Sequence, residues 1–156
     1  MALIGIAVVV GAVVLGSALL GGDDDQSKVE ARAGDPLPDV AGLNREDDAG
    51  ADVVRAYLEA ALSCSPSGEA LMRRLSRSGE SGAAEVVRTA CARSGGRPPA
   101  DRVEAKLVPD ELDEMGRALW RVEASDGALP ADLILRVRQG SRGWEIERSC
   151  IRACPP

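Results

Sequence analysis

The 156-residue chain has 19 basic and 25 acidic residues, a formal net charge of −6, and neither histidine nor phenylalanine. That balance excludes the basic footprint of a nucleic-acid binder, and the lack of histidine removes the usual general base near neutral pH and the commonest metal ligand. Setting aside an apolar start and a polar stretch behind it, about one hundred residues remain, enough for one small domain.

Residues 1–22 read as a transmembrane anchor or signal-anchor. Ala2 to Leu20 has no charged side chain, and eleven of its positions are Leu, Ile or Val. As a helix the stretch would span about 30 Å, the thickness of a bilayer hydrocarbon core. No basic flank precedes the run, Gly16-Ser17-Ala18 lies inside it and Ala31-Arg32-Ala33 far beyond it. Retention is therefore favoured over a signal peptide that is cleaved to release a secreted domain. The missing basic flank also predicts an upstream extension rich in Arg or Lys.

Residues 23–50 hold nine acids and three bases with little apolar periodicity, and read as an acidic disordered linker. Asp35-Pro36-Leu37-Pro38 is extended, because the residue before proline is pushed out of the helical region. From Ala49 to Pro156 the acids and bases balance at sixteen each, so the acidity belongs to the linker.

Helical periodicity begins after Asp52, a candidate N-cap: Val53, Val54, Tyr57, Leu58, Ala61 and Leu62 fall on one face, with Arg55 and Glu59 spaced as an i,i+4 pair on the other. Pro66 and Gly68 close that unit. A short helix follows with Leu71, Met72 and Leu75 inward, and Arg73, Arg74 and Arg77 on a solvated face. A third runs from about Gly82 to Arg93 and stops at Ser94-Gly95-Gly96-Arg97-Pro98-Pro99. The period then falls to two. Val103 to Leu107, Trp120 to Ala124, Leu133 to Arg138 and Trp144 to Glu147 read as four strands, the last three in an antiparallel meander joined near Asp126-Gly127 and through Gln139 to Gly143.

Helices first and antiparallel strands after make an α+β domain over residues 51–149, with the helices on one face of the sheet. The Val53–Leu62 helix and the Arg142-Gly143-Trp144-Glu145-Ile146-Glu147 strand following Leu133–Arg138 resemble the nuclear-transport-factor-2-like, cystatin-like superfold, within it the small secreted lumazine-binding-like bacterial domains. The resemblance implies a curved sheet and a cone-shaped pocket, which Tyr57, Trp120, Leu135 and Trp144 would line. Enzymes of that superfold place an Asp–His pair there; this chain has no histidine, so no catalytic residue is assigned.

The cysteines are Cys64, Cys91, Cys150 and Cys154. An even number in an exported domain points to disulfides. Cys64 follows the first helix and Cys91 ends the third, so the predicted pairs are Cys64–Cys91 and Cys150–Cys154, the latter stapling a C-terminal tail over 150–156. Pairing of Cys64 with Cys150 or Cys154 stays open. A four-cysteine zinc site lacks the usual closely spaced pairs of ligands, and Glu111, Asp113 and Glu114 lack the spacing of a calcium loop. No metal or cofactor is expected.

The abundance of Ala, Gly, Arg, Val and Asp with two lysines looks like a high-GC, actinobacterial genome. The leading expectation is a membrane-tethered, extracytoplasmic binding or accessory domain of the cell envelope without catalysis. Its contacts would be the membrane, through residues 1–22, and an envelope protein. The alternatives are a binder of small apolar ligands in the superfold pocket, and a hydrolase or isomerase that uses Asp or Glu as its base.

Overall fold

A computed structural model describes residues 28–45, 48–77, 82–108, 116–127 and 129–154. Three helices, α1 (Ala51–Leu62), α2 (Pro66–Leu75) and α3 (Gly82–Arg93), pack on one face of a five-stranded sheet. Its strands are β1 (Lys28–Arg32), β2 (Arg102–Leu107), β3 (Arg117–Ala124), β4 (Leu133–Gly140) and β5 (Gly143–Ile151). They lie in the order β1-β2-β3-β4-β5, every neighbour antiparallel.

The expected fold included a transmembrane helix, and this is corrected. The longest described helices have twelve residues, where a span needs about twenty apolar ones. No helix of the described residues is long and apolar enough to cross a membrane; residues 1–22 lie outside them. What stands is α+β, three helices on an antiparallel sheet.

The sheet has one strand more than the four expected, and it comes from the stretch read as linker. In β1, Val29 and Ala31 are buried while Lys28, Glu30 and Arg32 face outward. The alternation is only five residues long, and its inward side chains are small. It becomes a strand because β2 offers a complementary edge and α1 lies across it. Leu37, Val40 and Leu43 pack partly buried against the core, so the domain begins by Lys28 and not at residue 51. At the other end β5 runs to Ile151, so Cys150 belongs to the sheet and not to a separate tail.

Helix boundaries show what local chemistry does. Asp52 is not the N-cap of α1. That place is taken by Gly50 in left-handed conformation, and Asp52 sits in the first turn, where it takes Arg55 Nη1 at 3.0 Å; that i,i+3 contact replaces the expected partnership with Glu59. Pro66 and Gly68 do not terminate structure either. Ser65 caps α2 by accepting the Gly68 N–H, and Pro66 fills the first turn, where its missing N–H costs nothing.

Gly68 also sets how closely α2 approaches α1. A Cβ there would lie 2.1 Å from Ser63 Oγ and 2.3 Å from the Ala60 carbonyl oxygen. Gly68→Ala is therefore expected to destabilise by about 1–3 kcal/mol through overpacking, read as a shift in the urea midpoint. A loss below about 0.5 kcal/mol, the range of ordinary surface changes, would show that α2 slides freely on α1.

Candidate functional surface

The four residues expected to line a pocket are core. Trp120 and Leu135 are 0 % exposed, Tyr57 1 % and Trp144 6 %. At such burial no water-sized space adjoins the two most enclosed side chains, and the interior they share is filled by Leu62, Leu75, Val122, Val137 and Ile146. The two tryptophans hold the entry to α1. Trp120 Nε1 donates to the Ala49 carbonyl at 2.9 Å, and the Trp144 ring lies so close under Gly50 that an added Cβ would be 3.1 Å from it. Ala49 and Gly50 both have positive φ, 52° and 76°, a turn that needs such support because a left-handed Ala is unfavourable.

The cysteines pair as expected. Cys64–Cys91 joins the end of α1 to α3 with 5.7 Å between Cα atoms, and Cys150–Cys154 closes a short loop at the end of β5 with 5.2 Å. Each separation lies within the usual range for a bridge. No group of His, Cys, Asp and Glu side chains among the described residues is arranged to hold a metal ion. Residues Glu111, Asp113 and Glu114 lie outside the described residues.

The sheet face away from the helices is charged, with its charges in rows. Register places Lys28 opposite Lys106 and that opposite Arg121; the next row is Glu30, Glu104 and Glu123; the next is Arg32 and Arg102. Like charges directly across a ladder repel. The sheet offsets this with diagonal pairs: Lys28 to Glu104 at 2.9 Å, Arg102 to Glu30 at 2.8 Å and Lys106 to Glu123 at 2.9 Å. The Arg32 hydrogen bond, with Arg102 and Lys28 nearby, holds the Glu30 carboxyl below the usual carboxylate range. The Lys28 hydrogen bond does the same for Glu104, and Glu123 raises Lys106. These groups are solvated, so each pair stabilises little.

Toward β4 and β5 the same face changes. A register shift lies between Arg136 and Val137, and Arg136 is buried, its Nε 2.9 Å from Glu147 Oε2. Arg77 and Arg138 each place a nitrogen 3.6 Å from Glu147 Oε1. One carboxylate thus faces three guanidinium groups.

Glu59, on the opposite side of the sheet, behaves in the reverse sense to Glu30 and Glu104. Burial, followed by the charge of Asp35, raises its carboxyl above the usual range, and Arg55 opposes the shift. The native chain therefore keeps this proton to higher pH than the unfolded chain does. Relative stability is greatest below the ordinary carboxylate value and falls as pH rises through the raised one; for Glu30 and Glu104, stability is instead lost as pH falls through their lowered values. Glu59→Gln is expected to remove the Glu59 fall. Urea midpoints at about pH 4 and about pH 7 should show the variant gaining on the wild type at the higher pH; an identical difference at both would refute the assignment.

Compared with protein-family models, curated proteins and solved structures, the chain matches none. No relative's residue roles carry over to it.

Proposed function

We propose that the chain is an exported, extracytoplasmic accessory domain of a cell envelope that binds a protein partner through its surface and performs no chemistry. The observation that carries this reading is the pairing of all four cysteines in two bridges. Such bridges persist in oxidising compartments and are rare in a reducing cytosol. The charge-free run before residue 21 supports export. Action through the surface rather than an internal ligand site is supported by the filled interior around Trp120 and Leu135, and by the ordered charge rows on the open sheet face.

The test is a thiol count on protein taken from its native host, before and after reduction, with intact mass. No free thiol before and four after are expected. Four free thiols before reduction would place the domain in the cytosol and overturn the reading. A photo-crosslinker at exposed position 121, used in the living host, is expected to trap a defined protein adduct that Glu30→Lys weakens; no adduct would refute the partner.

A further inference from the structure

Six arginines gather around two adjoining clefts at the β4–β5 turn. The first cleft, about 440 Å³, is lined by Val40, Arg45, Arg73, Arg74, Ser76 and Arg142, with no carboxylate among them. The second, about 320 Å³, shares Arg142 and adds Arg77 and Arg138, with Glu145 and Glu147 as its acids. Six cations against two carboxylates make this a strongly positive surface on a chain whose net charge is −6.

The arrangement is built rather than incidental. Arg73 and Arg74 lie in the last turn of α2, where the helix dipole favours cations. That accounts for two of the guanidiniums but not for Arg45 and Arg142, which come from other segments. Arg45 is held there by its backbone: its carbonyl accepts the Trp144 N–H at 2.9 Å, and the chain passes so close over Gly143 that a Cβ on that residue would lie 2.4 Å from Arg45 Cβ. Gly143, at φ 84°, is the residue type that permits both the turn and the approach. Within the first cleft, Arg73 is engaged by Glu69 at 3.0 Å and Arg142 by Glu145 at 3.2 Å. Arg45 and Arg74 make no ion pair among the described residues. Glu46 and Asp47, next after Arg45, lie outside those residues.

We propose that the first cleft is a binding site for a phosphoryl group. Guanidinium forks match carboxylate and phosphate alike. A carboxylate has two acceptor oxygens and one charge, whereas a terminal phosphoryl group, in a monoester or diphosphate, presents at least one more oxygen and more charge to forks arriving from three segments. The site does not depend on the compartment or on a protein partner, so it stands or falls separately from the function proposed above.

The test uses the full chain in nonionic detergent, titrated calorimetrically with pyrophosphate and inorganic phosphate. Saturable binding is expected, weakened at least tenfold in R45Q/R74Q and unchanged in R55Q, whose arginine pairs with Asp52 away from both clefts. Because Arg74 is exposed, R74Q alone keeps the test valid should the double variant fail to fold; a severalfold loss is expected there. Vesicle flotation separates the sources. If the wild type prefers phosphatidic acid to phosphatidylcholine vesicles and R74Q loses that preference, the phosphoryl group is a lipid headgroup. If pyrophosphate binds and no vesicle preference exists, it belongs to a soluble phosphate compound. Either supports the site. No binding of any probe by the wild type, or binding undiminished in R45Q/R74Q and R74Q, overturns it.

Discussion

Trp120→Ala is expected to cost about 3–5 kcal/mol, a large share of the 5–15 kcal/mol typical of a whole domain. Trp120 is the largest fully buried side chain, and it stands on the inner face of β3, at the centre of the sheet. Its removal leaves a cavity that small neighbours such as Ala49, Ala118 and Ala105 cannot fill by moving inward. It also strips the Ala49 carbonyl of the indole N–H it accepts at 2.9 Å. Trp120→Phe separates the two effects. It keeps most of the ring volume but leaves the Ala49 carbonyl without its donor, for a loss of about 1–3 kcal/mol. Urea unfolding followed by the fluorescence of the remaining Trp144 measures both. A cost below about 1 kcal/mol for the alanine variant, less than a typical single substitution, would show that Trp120 faces an open space, and would restore the pocket that the residue pattern suggested.

Removing the Cys64–Cys91 bridge is the second large effect. In the chain-entropy treatment, releasing a loop closed over a sequence separation of 27 costs about 3.5 kcal/mol, and releasing one closed over a separation of 4 costs about 2 kcal/mol. Geometry widens the gap. Cys64–Cys91 ties the end of α1 to α3, which otherwise meets the sheet mainly at β5, and Cys64 has positive φ at 46°, so the link between α1 and α2 is locked at the same point. Cys150–Cys154 constrains the last residues of an edge strand, with Ile151 already half exposed. The double variant Cys64→Ala/Cys91→Ala is expected to lower the urea midpoint well beyond Cys150→Ala/Cys154→Ala. Equal losses would mean that α3 is held by its apolar contacts and not by the bridge.

The sequence by itself determined the elements whose signals are local and repeated. α1 and α3 were legible because an apolar stripe recurs along most of their length, and α2 because Leu71, Met72 and Leu75 share one face; Gly95-Gly96 stops α3 as expected, whereas Pro66, read as closing the first unit, opens α2. Strands β2 to β5 were legible because the period drops to two around larger inward side chains such as Trp120, Leu135 and Trp144, and the cysteine pairing because Cys64 and Cys91 sit near the ends of two helices. Within those elements single residues were misplaced. Gly50 and not Asp52 stands at the N-cap of α1, with no side-chain cap there, because the Ala49–Gly50 turn under Trp120 and Trp144 sets where the helix begins.

The tertiary structure alone decided the rest. β1 has only Val29 and Ala31 as inward side chains, both small and set in a stretch rich in acids, glycine and proline, too little to signal a strand; its hydrogen-bonding partner is β2, some seventy residues further on. Whether Tyr57, Trp120, Leu135 and Trp144 line a cavity or fill a core depends on the volume that other residues supply from the far side, and no spacing in the chain encodes that volume. The arginine clefts follow the same logic. Arg73 and Arg74 read correctly as the outward face of a helix, but Arg45 and Arg142 join them only because Gly143 lets one segment cross another. Period and caps are properties of a few neighbouring residues, whereas a site is a sum of distances between segments that the folded chain alone brings together.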